Sequence, residues 1–468
     1  MKKGDLIDLL IEDLNSDGVG IGRTPENFVI FVPKSLPGDI IKSKITKIKS
    51  NYAEAKLIEI IEPSKGRIEP YCMHFGVCGG CKIQNFNYNG QLKFKENVLT
   101  DAFVRLASLP FIPENDCLKS PDTFFYRNKM EFSFSDDLWI ENPELKTENN
   151  FALGLHVPGF HSKIVSVKFC YLQSELSNKI LNFTRDFFEE RNTSIYSTKT
   201  HSGYLRFLII RQSVKNNELM VNLITENYDE SLINEYKDSI LFYIPEITTI
   251  VNSISTKKAQ VAVGESEYVL YGDGIITESL ATEEGKLINY QISPNSFFQT
   301  NSKQAENLYR IAVKFSDFDI SDNVLDLYCG AGAISLFISG YVNKVTGVEL
   351  VESSINDAFK NADLNGIENC HFIKSDIKDF LLSEKINDYN KVILDPPRAG
   401  LHPEICEILS ETKLEKIVYI SCNPSTQARD LKIICGKGNY KLGRVQPVDM
   451  FPHTYHVENV VELLPCQN

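Results

Sequence analysis

The sequence predicts a multidomain α/β protein in three parts: a small OB-like β-barrel, an α+β middle domain, and a Rossmann-like, doubly wound α/β domain. Three observations carry this prediction. The chain has 468 residues, enough for roughly three domains of about 150 residues. Its first 62 residues hold short alternating apolar stretches broken by glycines, and from Ser293 onward apolar strands alternate with helical segments. Hydrophobic residues make up 43% and charged residues 24%, an ordinary globular composition rather than a disordered or fibrous one. No apolar run approaches the roughly 18 uncharged residues needed to span a bilayer.

In the first part, Leu6 to Ile11, Phe28 to Val32 and Ile40 to Ile45 read as strands, with turns at Gly18, Gly20, Gly22 and Pro37-Gly38. Lys42 and Lys44 fall on one face of a strand and Lys47 and Lys49 on the other, unless a bulge between the pairs unites them. United, they would form a phosphate-contacting strip; divided, they are a solvated strand. After a linker at Glu62-Pro63-Ser64-Lys65-Gly66, the spacing of Leu92, Val98, Leu99, Phe103 and Leu106 predicts a helix over Gln91 to Leu106 that stops before Pro110. Phe124 to Tyr290 reads as short strands with one helical segment, Glu175 to Arg191. The last part predicts strands at Val324 to Leu327, Lys344 to Val348, Lys391 to Leu394, Lys416 to Ile420 and Val457 to Leu463, with another ending near Ile373.

The formal charge of −13 argues against a nucleic-acid or anionic-membrane partner, although a local basic groove can sit on an acidic protein. The N-terminal stretch is interrupted by Asp5, Asp8, Glu12 and Asp13, so a cytoplasmic location is expected. Eleven cysteines, an odd number in a reducing compartment, point to metal binding or catalysis rather than to a disulfide framework.

The most informative run is Asp326-Leu327-Tyr328-Cys329-Gly330-Ala331-Gly332: a strand, a glycine turn, then a helix start. Such a turn brings backbone close to a nucleotide, and Glu349, 19 residues after Gly330, ends the next strand where a carboxylate can accept ribose hydroxyls. A dinucleotide remains possible on these two features alone. Asp376 and Asp395 then place carboxylates at the ends of two further strands, and this series resembles class I S-adenosylmethionine methyltransferases. Each aspartate alone could be a helix cap or a turn residue.

Strand Ile417 to Ile420 runs into Ser421-Cys422-Asn423-Pro424, placing a thiol at the ligand-binding edge of the sheet. Glu458 opens the last strand beside Val457 and Val460, where desolvation would favour a base of raised pKa. A cysteine in a methyltransferase solves a definite problem. Carbon 5 of a pyrimidine is too electron-poor to attack a sulfonium methyl until a thiolate adds at carbon 6, and a base must afterwards remove the carbon 5 proton.

Together with Phe297-Phe298-Gln299-Thr300-Asn301, Asp395-Pro396-Pro397-Arg398 and His456-Val457-Glu458-Asn459-Val460, these motifs make the whole chain resemble the bacterial RNA 5-methyluridine methyltransferases, the TrmA, RumA and RumB family. The resemblance implies Cys422 as nucleophile, Glu458 as proton acceptor, and Gln299, Tyr328, Glu349, Asp376 and Asp395 as S-adenosylmethionine contacts. It also implies that Phe297 stacks on the target uracil and that Arg127 and Lys129 lie near the substrate, where the bland alternative is an exposed strand. Position 333, polar in some relatives, is Ala333 here.

Cys72, Cys78 and Cys81 fall within ten residues, and spacing alone leaves zinc or an iron-sulfur cluster open. The resemblance favours a [4Fe-4S] cluster with Cys170 as fourth ligand, as in RumA and RumB, and likens the N-terminal barrel to the RNA-binding TRAM domain of RumA. It therefore implies a RumA-like enzyme acting on 23S rRNA as a monomer, with no DNA or membrane partner. A tRNA T-loop uridine and an inactive RNA-binding iron-sulfur protein are the alternatives. The expected domains are 1–62 (TRAM), 63–90 with 121–290 (middle) and 91–120 with 291–468 (catalytic).

Overall fold

The computed structural model describes residues 1–109, 116–140, 150–160, 162–383 and 386–466. Pro110, expected to stop a helix, lies outside them.

Five strands, Leu6–Leu14, Gly20–Arg23, Val29–Val32, Ile40–Ile48 and Tyr52–Glu62, close into a barrel in which the fifth lies between the third and the fourth. Alternation sends Leu9, Ile11, Ile30, Val32, Ile41, Ile45 and Ala53 inward as a single apolar core. Gly20 and Gly22 lie within a strand rather than at turns, and glycine is required at 20, where a Cβ would stand 2.0 Å from Ser35 Oγ. The bulge that would unite the lysines is present: Ile45 opposes Ala55, yet Lys47 opposes Glu54. Lys44 opposes Lys56, so Lys44 and Lys47 emerge on one face. Lys42 and Lys47 pair with Glu59 and Glu54 at 3.8 and 3.1 Å.

The middle sheet has seven strands, in the order Ser266–Tyr271, Thr249–Ile254, Leu219–Thr225, Leu205–Gln212, Lys129–Ser135, Ala152–His156 and Ile164–Ser166. Helix Glu175–Glu190 packs on it, as expected. So does a second helix, Glu230–Tyr243, which the sequence reading missed. Its inward residues Ile233, Tyr236 and Ile240 have helical spacing, but the apolar run that continues through the exposed Phe242 and Tyr243 blurs the period. A hairpin of Ile276–Ala281 and Leu287–Ile292 packs Leu280, Ile288 and Tyr290 into the core of the C-terminal sheet.

That C-terminal sheet runs Cys370–Lys374, Lys344–Glu349, Asn323–Leu327, Lys391–Leu394, Lys416–Ser421, Glu458–Pro465, Tyr440–Val448. The first five strands are parallel and the last two antiparallel. Residues buried on both faces make these strands nearly continuous apolar runs, with Val324, Ile393 and Val418 in one cluster and Leu325, Val392 and Tyr419 in the other. The edge strand Tyr440–Val448 was not anticipated, because a register shift between Leu442 and Val445 interrupts its alternation. Helix Tyr88–Ala102 begins three residues before the expected start, capped by Asn87, and continues as a π-turn through Ala107. Its Leu99 and Ala102, with Phe103, share a core with Leu401, Tyr419 and Leu431 of the C-terminal part.

Candidate active site

Five parallel strands end on one sheet edge, so Tyr328, Glu349, Asp376, Asp395 and Cys422 are brought to the same rim. Gly330 and Gly332 have φ of 54° and 80°, and Tyr328 itself sits at φ 67°, a strained conformation for an aromatic residue. Glycine at 347 is also required, since a Cβ there would lie 2.8 Å from both Cys329 Sγ and the Phe372 ring. Glu349 accepts from Gly330 N at 3.3 Å and from the amides of Leu350 and Val351 at 2.8 and 2.9 Å, which fixes its carboxylate over the glycine turn. Asp326 lies fully buried beneath the turn and accepts from Ser335 Oγ at 2.5 Å. Burial pushes its pKa up to about 7. Asp376 is exposed, and its Oδ1 accepts from the amides of Lys378 and Asp379, so this aspartate does cap the next helix.

Gln299 is nearly buried; its carbonyl accepts from Asn128 Nδ2 at 2.9 Å, and its side chain meets the hydroxyl of Tyr309 on helix Ser302–Ser316. Phe298 turns into the core while the adjacent Phe297 is 76% exposed.

Cys422 ends its strand at a turn held by Ser421 Oγ, which accepts from Asn423 N, and by Asn423, which caps helix Pro424–Gly436. Asn423 Nδ2 and Thr426 Oγ1 each donate to the carbonyl of Arg398 at 3.2 Å. These bonds carry the Arg398 guanidinium to both the Cys422 thiol and the His456 ring. Burial and then the nearby Glu458 push the thiol up to about 11, while Arg398 draws it back down. Burial, followed by Asp395, pushes Glu458 up to about 8, and burial, followed by Asp326, pushes Asp395 up to about 7. Cys422, Glu458, Asp395 and Arg398 therefore form one electrostatically coupled group: a thiol, two carboxyls reluctant to ionise and a single permanent cation.

With this geometry in place, comparison with known proteins is direct. Residues 213–465 match the tRNA (Uracil-5-)-methyltransferase family, and residues 1–58 match the TRAM domain. The chain belongs to the RNA uracil-5-methyltransferase family. It is 41% identical to an uncharacterized RNA methyltransferase of Chlorobaculum tepidum, across 98% of this chain and 96% of that one. A second uncharacterized RNA methyltransferase, from Bacteroides thetaiotaomicron, is 40% identical across 96% and 99%. The crystal structure of the Pyrococcus abyssi tRNA (uracil-54, C5)-methyltransferase in complex with S-adenosyl-L-homocysteine superimposes with a TM-score of 0.76 at 29% identity, covering 98% of this chain and 100% of that one.

In this methyltransferase the remaining predicted residues belong to the middle sheet and the loops beside it. Lys129 is paired with Glu131 at 2.5 Å, and burial lowers its pKa. Arg127 spans between the Phe451 ring, 5.8 Å away, and the cysteine pocket, where its charge acts on Cys81 and Cys170. Cys72, Cys78, Cys81 and Cys170 line one largely apolar pocket with Leu155, Val167 and Phe169. Among the described residues, no group of three or more His, Cys, Asp or Glu side chains converges to hold a single metal ion.

Sequence reasoning assigns no role to Arg398, which stands in the Asp395–Arg398 motif, or to Asp449–His456, the run that brings histidines to the start of the last strand. The buried Lys95 pairs with Asp449 and donates to Phe451 O at 3.0 Å, and Gln91 Oε1 accepts from His453 N at 2.8 Å. Tyr126 OH donates to Pro452 O, and Lys82 and Ile83, just after Cys81, donate to His453 O. The helix at 88–102, the middle domain and the cysteine loop thus all hold the segment that leads into Glu458. No spacing rule marks such partners, which come from three distant stretches of chain.

Proposed function

We propose that this enzyme methylates carbon 5 of a uridine in 23S rRNA, with Cys422 as nucleophile and Glu458 as proton acceptor. The single observation that carries the reading is the buried Glu458 beside the Cys422 thiol, with the exposed Arg398 guanidinium acting on both. Gln299, Tyr328, Glu349, Asp376 and Asp395 would hold S-adenosylmethionine, and the Gly330–Glu349 turn fits it: a Cβ on Gly330 would meet nothing within 4 Å, which leaves the backbone open to a ligand. S-adenosylmethionine supplies an electrophilic methyl group.

The exposed Phe297 ring stacks on the uracil once the base leaves its own stack. Cys422 adds to carbon 6 as a thiolate, the form Arg398 favours, and the ring becomes an enolate whose carbon 5 takes the methyl group. Glu458 then accepts the carbon 5 proton, the carbon–sulfur bond breaks, and the thiolate returns to Arg398. A carboxylate that ionises near pH 8 is a stronger base than an ordinary one, which suits removal of a carbon-bound proton.

Cys72, Cys78, Cys81 and Cys170 would hold a [4Fe-4S] cluster; four thiols around one apolar pocket are the ligand set such a cluster takes, and a zinc ion held by four cysteines takes the same set. The methyl transfer moves no electrons through it, so its role is to brace the loop that donates to His453. Residues 1–62, 63–90 with 121–290, and 91–120 with 291–468 are taken as TRAM, middle and catalytic domains.

Cysteine quartet and barrel together favour the RumA-like rRNA reading. The full-length likeness to the Pyrococcus abyssi tRNA (uracil-54, C5)-methyltransferase supports a second reading, a tRNA T-loop uridine. Mapping 5-methyluridine in rRNA and tRNA from a strain lacking this protein decides between them: loss from 23S rRNA is expected, and loss from tRNA alone selects the second. Anaerobic purification should give about four irons per chain, whereas stoichiometric zinc without iron would overturn the cluster.

A further inference from the structure

Among the described residues, His201 takes left-handed backbone in a turn closed by its amide on Ser197 O, and three other ring-bearing residues do so as well: Tyr328, His453 and Phe125, with φ of 67°, 68° and 55°. Two are accounted for, since Tyr328 lines the cofactor turn and His453 anchors the segment before Glu458. Phe125 is not, and a phenylalanine in that region of φ is a genuine outlier. A hydrogen bond from its amide to Tyr171 O, 2.7 Å long, holds it there. The ring is only partly spent on packing, since the residue is 46% exposed.

Phe125 stands at the end of a continuous series of rings. Its centroid is 6.1 Å from Tyr171 and 6.4 Å from Phe169. Tyr171 lies 6.0 Å from Phe124, which has the 69% exposed Tyr71 at 5.3 Å on one side and the stacked His453 at 4.4 Å on the other. His453 belongs to the same segment as Phe451 and His456, whose rings are 6.3 Å apart, and His456 meets Arg398 at the Cys422 thiol. The exposed Lys168 and the guanidinium of Arg127 flank the series and supply positive charge.

We infer that the exposed rings of Phe125 and Tyr71 form a stacking platform for an unpaired base of the RNA strand that carries the target uridine, separate from Phe297. The inference rests on the RNA-methyltransferase reading above. Exposed rings with adjacent cations are what a single-stranded nucleic acid recognises, because every base has a face to stack and every linkage a phosphate to neutralise. The short stretch of backbone from His453 to His456, which meets Arg398 at the Cys422 thiol, joins the rings to the thiol's surroundings, so the occupant is assigned to the strand being modified.

Phe125→Gly is the discriminating variant. It removes the ring while relieving the backbone strain, so the melting temperature should hold or rise. With total RNA from a strain lacking the protein as methyl acceptor, KM should rise about tenfold, within the range a lost base stack gives, while kcat and S-adenosylhomocysteine binding stay within twofold. Phe125→Trp should restore KM, and Tyr71→Leu should raise it independently. An unchanged KM in folded Phe125→Gly and Tyr71→Leu overturns the platform, as does a fall in melting temperature with normal KM, which assigns the ring to packing. Failure of the wild-type enzyme to methylate any RNA would instead sink the underlying activity, so the two outcomes are distinguishable.

Discussion

Glu458 and Glu462 lie four residues apart on one strand, share a face of the sheet and are both buried, yet their carboxyls behave oppositely. Glu462 accepts from Lys416 Nζ at 2.7 Å and from Arg444 Nε and N at 2.8 and 3.0 Å, and these partners hold its pKa down at about 2 against the cost of burial. Glu458 is pushed up to about 8 by burial and then by another carboxyl, Asp395, with only Arg398 drawing it down. Burial sets the stakes and the partners set the sign. Where buried charge is matched, the strand gains a rigid clasp to Asp317 and helix Ser302–Ser316; where it is left unmatched, the strand holds a carboxyl that grips its proton tightly.

The comparison is broken most severely at the thiol. Cys422→Ala should abolish methylation, a loss of at least about 10⁴-fold, while S-adenosylhomocysteine binding survives; turnover near wild type would remove Cys422 from the reaction. Glu458→Gln comes next. It keeps the shape of the base but cannot take a proton, so turnover should fall by about 10²- to 10⁴-fold and a covalent RNA–protein adduct should accumulate as a slow-migrating band on a denaturing gel. In the wild type, resolution of that adduct should rise about tenfold per pH unit below pH 8 and then level off, since only ionised Glu458 accepts the proton. A profile flat from pH 6 to 9 would deny Glu458 this role.

Glu462→Gln should leave turnover per folded molecule unchanged and cost stability instead, about 3 kcal/mol by urea unfolding, the lower end for a buried pair because Arg444 keeps solvent contact. The two glutamates also differ in pH dependence. The native pKa of Glu462 lies below its ordinary 4.5, so its contribution is complete above that pH and is lost as pH falls from 4.5 towards 2. The native pKa of Glu458 lies above 4.5, so the folded state binds its proton more tightly and stability falls as pH rises from 4.5 to 8. Glu458→Gln should therefore raise the urea midpoint at pH 8, where Glu462→Gln lowers it. Equal midpoints for the two variants would erase the distinction between clasp and base.

The sequence marks Glu458 but not Glu462, and the reason is physical. Glu458 sits in a local motif whose neighbours serve chemistry that fixes residue types. Glu462 is matched by Lys416 and Arg444, residues 46 and 18 positions away, and any acidic–basic combination there would do. The same rule covers the fold. The parallel strands were legible because two-sided burial writes continuous apolar runs, and the Gly330 turn because its left-handed backbone at 330 and 332 favours glycine. Strand Tyr440–Val448 was hidden by its bulge, and helix Glu230–Tyr243 by exposed aromatics. Arg398 was visible as a letter in a motif, but its reach to both Cys422 and His456 depends on Asn423 and Thr426 gripping its carbonyl.

Matched and unmatched charge also divides the barrel, where the smallest effect is expected. On its lysine strip, Lys42 and Lys47 are engaged with Glu59 and Glu54, whereas Lys44 opposes another lysine, Lys56, across the strands. A phosphate is the partner that Lys44 lacks. Lys44→Ala should therefore weaken RNA binding uniformly across sequences and lower the slope of log affinity against log salt by about 1, the signature of one lost phosphate contact. Lys47→Ala should change the slope by less, since Glu54 already competes for that ammonium and is left free to repel the strand. With a net charge of −13, the enzyme depends on such local strips, so the total slope should stay modest. A slope near −10, implying roughly ten phosphate contacts, together with no response at Lys44, would move the RNA path off the barrel altogether.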